Sequence, residues 1–133
     1  MTKRRLGLLL GTVLGIILII AGIIAWRISV ALDASAIDTA QTWARLAPFP
    51  ATARDLHVQT LGSMFTRQFK ITFVAPKQDV ASWIKMSPGP ASAKQSADGS
   101  ETVYEIAPGG GATSAEVRVD PSTGRVSIDT SWS

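Results

Sequence analysis

Residues 6–26 read LGLLLGTVLGIILIIAGIIAW, a run of 21 consecutive residues without a charged side chain. An α-helix rises about 1.5 Å per residue, so this run is about 31 Å long as a helix and matches a hydrocarbon core of about 30 Å. The run predicts one transmembrane helix, which we place at residues 6–27. A chain with one such helix is a single-pass membrane protein, and the lipid bilayer is its first expected partner.

The charges on the two sides of this run predict its orientation. Three basic residues, 3–5, precede the run, whereas Arg27 is followed by no further basic residue before Arg45. Cytoplasmic flanks of transmembrane helices carry the excess of Lys and Arg. We therefore expect residues 1–5 to form a cytoplasmic tail at the cytoplasmic (inner) membrane, and the C-terminal domain to lie outside that membrane or in the periplasm.

A cleaved signal peptide is the alternative interpretation of the same segment. Its basic start fits, and Ala34-Ser35-Ala36 resembles a cleavage site. The apolar core of a signal peptide, however, has only about 7–15 residues. The longer run in this chain favours an uncleaved anchor.

Small residues recur on one side of the predicted transmembrane helix. Gly7, Gly11 and Gly15 are four residues apart, a spacing that lets a second helix approach closely. The spacing predicts a packing face for a homodimer or for a partner membrane protein. Glycine is also frequent in membrane helices in general, and a spacing without a packing role is the alternative interpretation.

The charge and cysteine content narrow the classes of function. The chain has a formal net charge of +3 from 13 basic and 10 acidic residues. Four basic residues flank the predicted span, which leaves nine basic against ten acidic residues in the exposed part, a net charge of −1. A basic footprint for nucleic acid is therefore absent. The chain has no cysteine, which excludes disulfides and thiol chemistry and is more typical of a bacterial than a eukaryotic extracytoplasmic domain.

The part of the chain after the span has the length of one small domain. Apolar residues at helical spacing predict a helix over residues 33–47, which ends at Pro48-Phe49-Pro50 because proline removes a backbone donor. We assign residues 28–50 to this juxtamembrane helix and a linker. Residues 51–133 are expected to form an extracytoplasmic α+β domain.

Alternating apolar residues in this domain predict a small antiparallel sheet of about five strands, and the element order after the anchor is α-β-β-α-β-β-β. Gly62-Ser63 is expected to form a two-residue turn between the first two strands. Residues 91–100 are expected to form a mobile loop, and a helix over residues 77–86 is expected to pack on one face of the sheet and bury Trp83. The predicted strands are 56–61, 64–75, 102–107, 115–119 and 125–130.

Residues with catalytic or ligand-binding chemistry are sparse. His57 is the only histidine, so a multi-histidine metal site is impossible, and its place in a strand indicates a solvated side chain rather than a general base. Gly109-Gly110-Gly111 lacks the Lys-Ser/Thr and the helix that follow in a phosphate-binding loop, so we interpret it as a linker. The chain also has no Gly-x-Ser-x-Gly elbow of a serine hydrolase. We expect a protein that is not an enzyme and has no metal site and no cofactor.

Arg67 is the residue that departs from its local pattern. It shares strand parity with Phe65 and Phe69, which are expected to be buried, and a buried guanidinium costs free energy unless it is paired. Three interpretations are open. A bulge turns Arg67 outward, it pairs with an acidic residue at the sheet edge, or it binds an anionic ligand or partner in a groove between helix and sheet, together with Trp83 and Tyr104.

Residues 119–126 read VDPSTGRV. This segment resembles the Val-Asp-x-x-Thr-Gly-x-Val hairpin of PepSY modules, which are small extracytoplasmic domains with a helix followed by strands. The resemblance covers eight residues, and neither the loop at residues 91–100 nor the hairpin before it is part of that pattern. It implies a binding or inhibitory module and no enzyme.

These observations give three hypotheses for function. The first is a membrane-anchored, non-catalytic interaction module that recruits or steadies another protein of the cell envelope. The second is a domain that binds a small ligand or an anion in the groove between helix and sheet. The third, with the least support, is a minimal hydrolase that depends on His57.

Overall fold

The computed structural model describes residues 3–133, in two compact units that divide between Ala34 and Ser35. The first unit holds the N-terminal part of helix α1, Lys3–Trp43. The large apolar side chains of this part are exposed, and the helix is long and apolar enough to cross a membrane. Residues 1 and 2 of the predicted tail, and the side chain of Arg4, lie outside the described part of the chain.

The second unit, Ser35–Ser133, has the α+β architecture that the sequence predicts. Its elements after α1 are β1 Arg54–Gly62, β2 Arg67–Val74, α2 Lys77–Met86, α3 Pro88–Ala91, β3 Lys94–Asp98, β4 Glu101–Ile106, β5 Ser114–Asp120 and β6 Arg125–Trp132. The six strands form one antiparallel sheet in the order β1-β2-β6-β5-β4-β3. The edge strands are therefore β1 and β3.

The core lies on one face of the sheet, which we call the covered face, and the opposite face is the open face. Alternation along the strands places every second residue on the covered face, where α2 and the end of α1 pack against it. Trp83 is 1% exposed, which confirms its predicted burial, and the centre of its ring lies 5.6 Å from that of Phe73. The core residues are Ala36, Ala40, Ala44, Phe69, Ile71, Phe73, Ala75, Val80, Trp83, Ile106, Ala115, Val117, Val119, Val126 and Ile128.

Helix α1 ends at Trp43, before the end that the sequence predicts. Arg45 adopts a left-handed conformation with φ 51°, and the N–H of Leu46 donates to the carbonyl of Gln41 over 2.8 Å. This is the usual hydrogen-bond pattern of a helix end, with arginine where glycine is common. The prediction that Pro48 ends the helix is therefore wrong, because the chain has already turned.

Two glycine segments complete this helix end. The N–H of Gly109 donates to the carbonyl of Trp43, and the N–H of Gly89 donates to the carbonyl of Arg45, both over 2.9 Å. Arg45 in turn donates from Nε to the carbonyl of Ala107 over 3.0 Å. Gly109, in the glycine run that we interpreted as a linker, thus satisfies one of the carbonyl groups that a helix end leaves without partners.

The first hairpin has a longer turn than predicted. Gly62 pairs with Arg67, so residues 63–66 form a four-residue turn and β2 begins at Arg67 rather than at residue 64. The N–H of Ser63 donates to the carbonyl of Thr66 over 3.0 Å. The two-residue turn Gly62-Ser63 is therefore wrong, and Phe65 is not part of a strand.

Residues 91–100, predicted as a loop, contain a sixth strand. Strand β3 pairs with β4 in a regular antiparallel register, from Lys94 opposite Glu105 to Asp98 opposite Glu101. Every residue of β3 is exposed. A strand with no buried side has no alternation of apolar and polar residues, which is the signal on which strand prediction depends.

The second unit begins earlier than the domain predicted at residues 51–133. Ala36, Ala40 and Ala44 of α1 are buried in its core, and the ring of Trp43 lies 5.4 Å from the ring of Phe69. Residues 35–50, predicted as a juxtamembrane helix and linker, are therefore part of the compact unit.

Candidate functional site

The three residues predicted to share a site lie in three separate places. Arg67 is exposed at the first position of β2, where it lines a shallow depression with Ser63 and Thr66. The only register shift between β1 and β2 lies between Arg54 and His57, away from Arg67, so the bulge interpretation is wrong. Among residues 3–133 no acidic residue forms an ion pair with Arg67. Arg67 is solvated because the strand starts there.

Trp83 is a core residue whose polar atom is already used. Its Nε1 donates to the carbonyl of Ala47 over 3.0 Å. Ser87 also links α2 to the connection at Ala47. Its Oγ donates to the carbonyl of Trp83 over 2.8 Å and accepts from the N–H of Ala47 over 3.0 Å. This arrangement fixes the connection after α1 onto α2 and leaves the indole N–H no role toward a ligand.

Tyr104 lines a groove between α2 and the far side of the covered face, which we call the α2 groove. Its volume is about 320 Å³, at the lower end of the range for small-molecule sites, about 300–1,000 Å³. A groove between helix and sheet was predicted, but neither Arg67 nor Trp83 belongs to it. The groove is lined by Lys77, Val80, Ala81, Ile84, Lys85, Gln95, Thr102, Tyr104, Val119, Asp120, Pro121 and Gly124.

The α2 groove exists because the sheet extends beyond the helices that cover it. Val119 of β5 is buried, Thr102 and Tyr104 of β4 are half-buried, and Gln95 of β3 is exposed. Coverage of this face therefore falls from β5 to the edge of the sheet. Burial raises the pKa of Tyr104 above its ordinary value, so its hydroxyl is neutral at pH 7 and can donate a hydrogen bond into the groove.

The charge in the α2 groove is mostly positive. Lys77 and Lys85 are exposed, and neither forms an ion pair within residues 3–133. The carboxylate of Asp120 accepts from the N–H of Ser122 over 2.9 Å and from its Oγ over 2.5 Å. These hydrogen bonds lower the pKa of Asp120 and engage one of its two carboxylate oxygens. Asp120 is therefore ionised at pH 7, and the groove lining carries two positive charges and one negative charge.

A second exposed surface lies at the turn of the β1–β2 hairpin, residues 63–66, which we call the hairpin tip. Met64 is 90% exposed and Phe65 is 76% exposed. The turn itself is held by polar groups. The N–H of Phe65 donates to Oγ of Ser63, and the N–H and the hydroxyl of Ser63 both hydrogen-bond to Thr66. The apolar side chains are therefore not needed to form the turn.

Strand β1 continues this surface along the sheet edge. Eight of its nine residues are exposed, and only Val58 is partly buried. Its regular part, from His57 to Gly62, carries Leu61 beside the hairpin tip. Exposed edge strands present unpaired backbone groups to which another chain can pair. Short strand length and charged side chains commonly prevent such pairing. The other edge, β3, is short and has Lys94 and Asp98 at its ends, whereas β1 is longer and more apolar.

The open face of the sheet is polar, and the charges around Arg118 are paired. Arg118 at its centre donates to Glu116 over 2.6 Å and to Asp98 over 2.7 Å, and lies 3.7 Å from Glu101. Hydrogen bonds to Asp98 and Glu116 raise the pKa of Arg118. A solvated polar face is usual for an antiparallel sheet that is covered on one side.

The residues considered for catalysis are dispersed. His57 lies on exposed strand β1 opposite Thr72. Helix α2 carries a Ser-x-x-Lys spacing, Ser82 and Lys85. Ser82 lines a depression beside Trp83 whereas Lys85 lines the α2 groove, so the two side chains do not share a site. Within residues 3–133 no group of three or more acidic, histidine or cysteine side chains is placed to hold a metal ion.

The glycines predicted to form a transmembrane packing face lie in the first unit. At Gly7, Gly11 and Gly15 a Cβ atom would meet no atom within 4 Å among the described residues, apart from the helix's own nearby backbone. The surface along these three residues is therefore open to a second helix, and its role in a homodimer or with a partner protein stays a prediction.

Comparisons of the chain with protein-family models, with curated proteins and with solved structures find no match. The resemblance to PepSY modules therefore stays limited to the eight residues that carry it. Those residues do form a hairpin, in which β5 and β6 are joined by a turn with Gly124 at φ 75°.

Proposed function

We propose that the chain is a single-pass membrane protein of the cell envelope whose second unit is a non-catalytic interaction module. In this proposal α1 crosses the cytoplasmic membrane with the N-terminus inside, and Ser35–Ser133 lies outside or in the periplasm, where it recruits or steadies another envelope protein. The apolar helix behind three basic residues supports the anchor and its orientation.

The hairpin tip is the observation that carries the interaction module. Met64 and Phe65 are the most exposed large apolar side chains of the second unit, on a turn that polar groups hold in place. Burying a Met or Phe side chain in a partner stabilises a complex by about 1.5–3 kcal/mol relative to leaving it in water. The three other hairpin connections of the second unit, residues 99–100, 107–113 and 121–124, carry no large apolar side chain.

The residues around the hairpin tip match the composition of protein interfaces. We call Leu61, Met64, Phe65, Arg67 and Trp132 the hairpin surface, since the strand register places them at one end of the sheet, with Trp132 opposite Arg67. All five are exposed. Aromatic residues, methionine and arginine are enriched in interfaces, and tryptophan and arginine are also enriched among the few positions that dominate binding energy.

The test is photo-crosslinking of the full-length chain in its own membrane, with a photoreactive amino acid at position 65 and, as a matched control, at position 100 on the β3–β4 turn. We expect position 65 to give one discrete protein adduct by mass spectrometry and position 100 to give none. A parallel sample with Gly7, Gly11 and Gly15 changed to Leu shows whether that adduct also needs the transmembrane packing face.

Two outcomes would contradict the interaction module. Adducts at position 65 with lipid alone, or equal adducts at both positions, mean that the hairpin tip has no specific protein partner. A discrete adduct that contains a second copy of this chain would identify the partner as a homodimer.

A second candidate function, the binding of a small ligand or an anion, is favoured by the α2 groove. Its two lysines, its apolar floor and the hydroxyl of Tyr104 converge on one cavity. A minimal hydrolase has the least support, because His57 lies on β1 and outside this groove.

A further inference from the structure

We infer that the α2 groove binds a single acyl chain that ends in a carboxylate, that is, a fatty acid. This inference rests on the second candidate function, ligand binding in the groove, and it names the class of ligand. It is independent of the hairpin surface, since the two share no residue.

The α2 side of the groove is a strip of apolar side chains between two cations. Lys77, Val80, Ala81, Ile84 and Lys85 follow the spacing of one helix face, at positions i, i+3, i+4, i+7 and i+8. The two lysines are eight residues apart, about 12 Å along the helix axis. An apolar chain that lies along this strip has a cation within reach of its charged end in either direction.

The charges of the groove complement a carboxylate. Lys77 and Lys85 have no acidic partner within residues 3–133, and Asp120 is already hydrogen-bonded to Ser122. The remaining polar groups in the lining, on Gln95, Thr102 and Tyr104, are neutral. The lining therefore carries a net charge of +1 from Lys77, Lys85 and Asp120. An anionic end group beside either lysine is attracted to it, whereas a cationic end group there is repelled.

The walls of the groove favour an alkyl chain over a peptide. Strand β4 is paired on both sides, to β3 and β5, so it has no free backbone edge to which an extended peptide can add. A peptide in this apolar groove would leave its own N–H and C=O groups without partners, which is costly. An alkyl chain has no such groups. The cavity of about 320 Å³ is also small for a ligand with two acyl chains.

The test uses the full-length chain in lipid nanodiscs with two photoreactive probes. One is a C16 fatty acid with a diazirine in its chain, and the other is the alcohol of the same chain, which lacks the negative charge. Adducts are mapped by mass spectrometry and normalised to adducts on residues 6–26, which both probes reach from the lipid. We expect the acid to label α2 or β4 at least fivefold more than the alcohol does.

A double variant tests the lysines. Lys77→Gln with Lys85→Gln is expected to lower acid labelling of α2 and β4 about tenfold. The matched control, Lys70→Gln with Lys94→Gln, removes the same charge from the open face and is expected to change it less than twofold. All four side chains are exposed, so both variants are expected to fold, which equal melting temperatures check.

Two results would overturn the inference. The first would reject only the fatty acid as ligand, and the second would also reject ligand binding in the α2 groove. Equal labelling of α2 and β4 by acid and alcohol, or no effect of the lysine variant, would reject the ligand class and leave an apolar binding groove. Labelling of residues 6–26 without labelling of α2 or β4 by either probe would reject ligand binding in the groove as well. Neither result bears on the adduct at position 65.

Discussion

Thr130 has a buried hydroxyl without a hydrogen-bond partner in the part of the chain that the structure describes. The residue is fully buried on the covered face, between Phe69 of β2 and Ala115 of β5. An unpaired buried hydroxyl costs about 1–3 kcal/mol. Thr130→Val replaces it with a methyl group of similar size, so we expect the free energy of unfolding to rise by about 1 kcal/mol in denaturant titrations of the detergent-solubilised chain.

The control for this variant is Thr130→Ser, which keeps the hydroxyl and removes the methyl group. Its free energy of unfolding is expected to fall by about 1 kcal/mol, as for other losses of a buried methyl group. A valine variant that is less stable than the natural chain would mean that the hydroxyl has a partner, such as a buried water molecule.

Asp120 makes stability depend on pH. Hydrogen bonds from Ser122 hold the pKa of its carboxyl group below the ordinary value of 3.8. A carboxyl group whose pKa falls on folding stabilises the folded state above its unfolded-state pKa, and this contribution is lost as the pH falls through the folded-state pKa. Asp120→Asn is therefore expected to lower the melting temperature at neutral pH.

The size of that decrease is expected to depend on pH. The difference in melting temperature between Asp120→Asn and the natural chain should narrow as the pH falls below 3.8, because the natural chain then loses the same contribution. Melting curves at a series of pH values from neutral to acidic measure it. A difference that stays constant over the series would mean that the carboxylate charge has no part in the effect.

The helices and strands that were predicted correctly are those for which the backbone preferences of the residues agree with the hydrophobic pattern. Helix α2 has the predicted bounds, because Pro76 suits a helix start and the apolar residues 80, 83 and 84 form a stripe. The β5–β6 hairpin follows from its apolar alternation and from the turn residues Pro121 and Gly124. In both cases backbone preference and hydrophobic pattern indicate the same structure.

Other elements depend on contacts that the sequence does not carry. Strand β3 has no apolar pattern and forms because β4 offers it an edge. Phe65 shares strand parity with the buried residues of β2, so a parity argument places it inside, although the chain has turned before it. The end of α1 has no glycine signal, because Arg45 occupies the left-handed position.

The candidate site shows the same division. A groove beside Tyr104 was predicted, since a helix on a sheet leaves grooves at its flanks, and the spacing of Lys77 and Lys85 on α2 was a signal that sequence reasoning could have used. Arg67 could not be separated from this groove without the strand order. In the sheet, β2 and β4 are separated by β6 and β5.

The turn between β5 and β6 has no room for a side chain at Gly124. Gly124 has φ 75°, and a Cβ atom there would lie 2.0 Å from the carbonyl oxygen of Ala75. A left-handed residue other than glycine costs about 1–2 kcal/mol, and the close approach to Ala75 adds to this cost. Gly124→Ala is therefore expected to destabilise the second unit by more than about 2 kcal/mol. Thermal melting measures this loss.

Gly111 provides the control for that variant. It has φ 84°, also left-handed, but a Cβ atom there would meet nothing within 4 Å. Gly111→Ala is expected to cost only about 1–2 kcal/mol. Equal losses for the two variants would show that the close approach to Ala75 contributes nothing.

For the whole molecule, the proposed orientation can be tested through the absence of cysteine. A single cysteine in place of exposed Ser100 is expected to react with a membrane-impermeant maleimide in intact cells or spheroplasts. A single cysteine in place of Thr2 is expected to react only after the membrane is opened. The reverse pattern, or reaction of both positions in intact cells, would contradict an N-terminus inside.

Helix α1 supplies both the apolar segment and, through Ala36, Ala40 and Ala44, part of the core of the second unit. This limits how the gene can recombine in evolution. An exchange of the apolar segment is expected to be tolerated when the junction lies before Ser35, but a junction near residue 51 would deliver a sheet without the alanines that cover it. The end of α1 from Ser35 onward and the sheet are therefore expected to be inherited together, and recombination that separates them would be selected against.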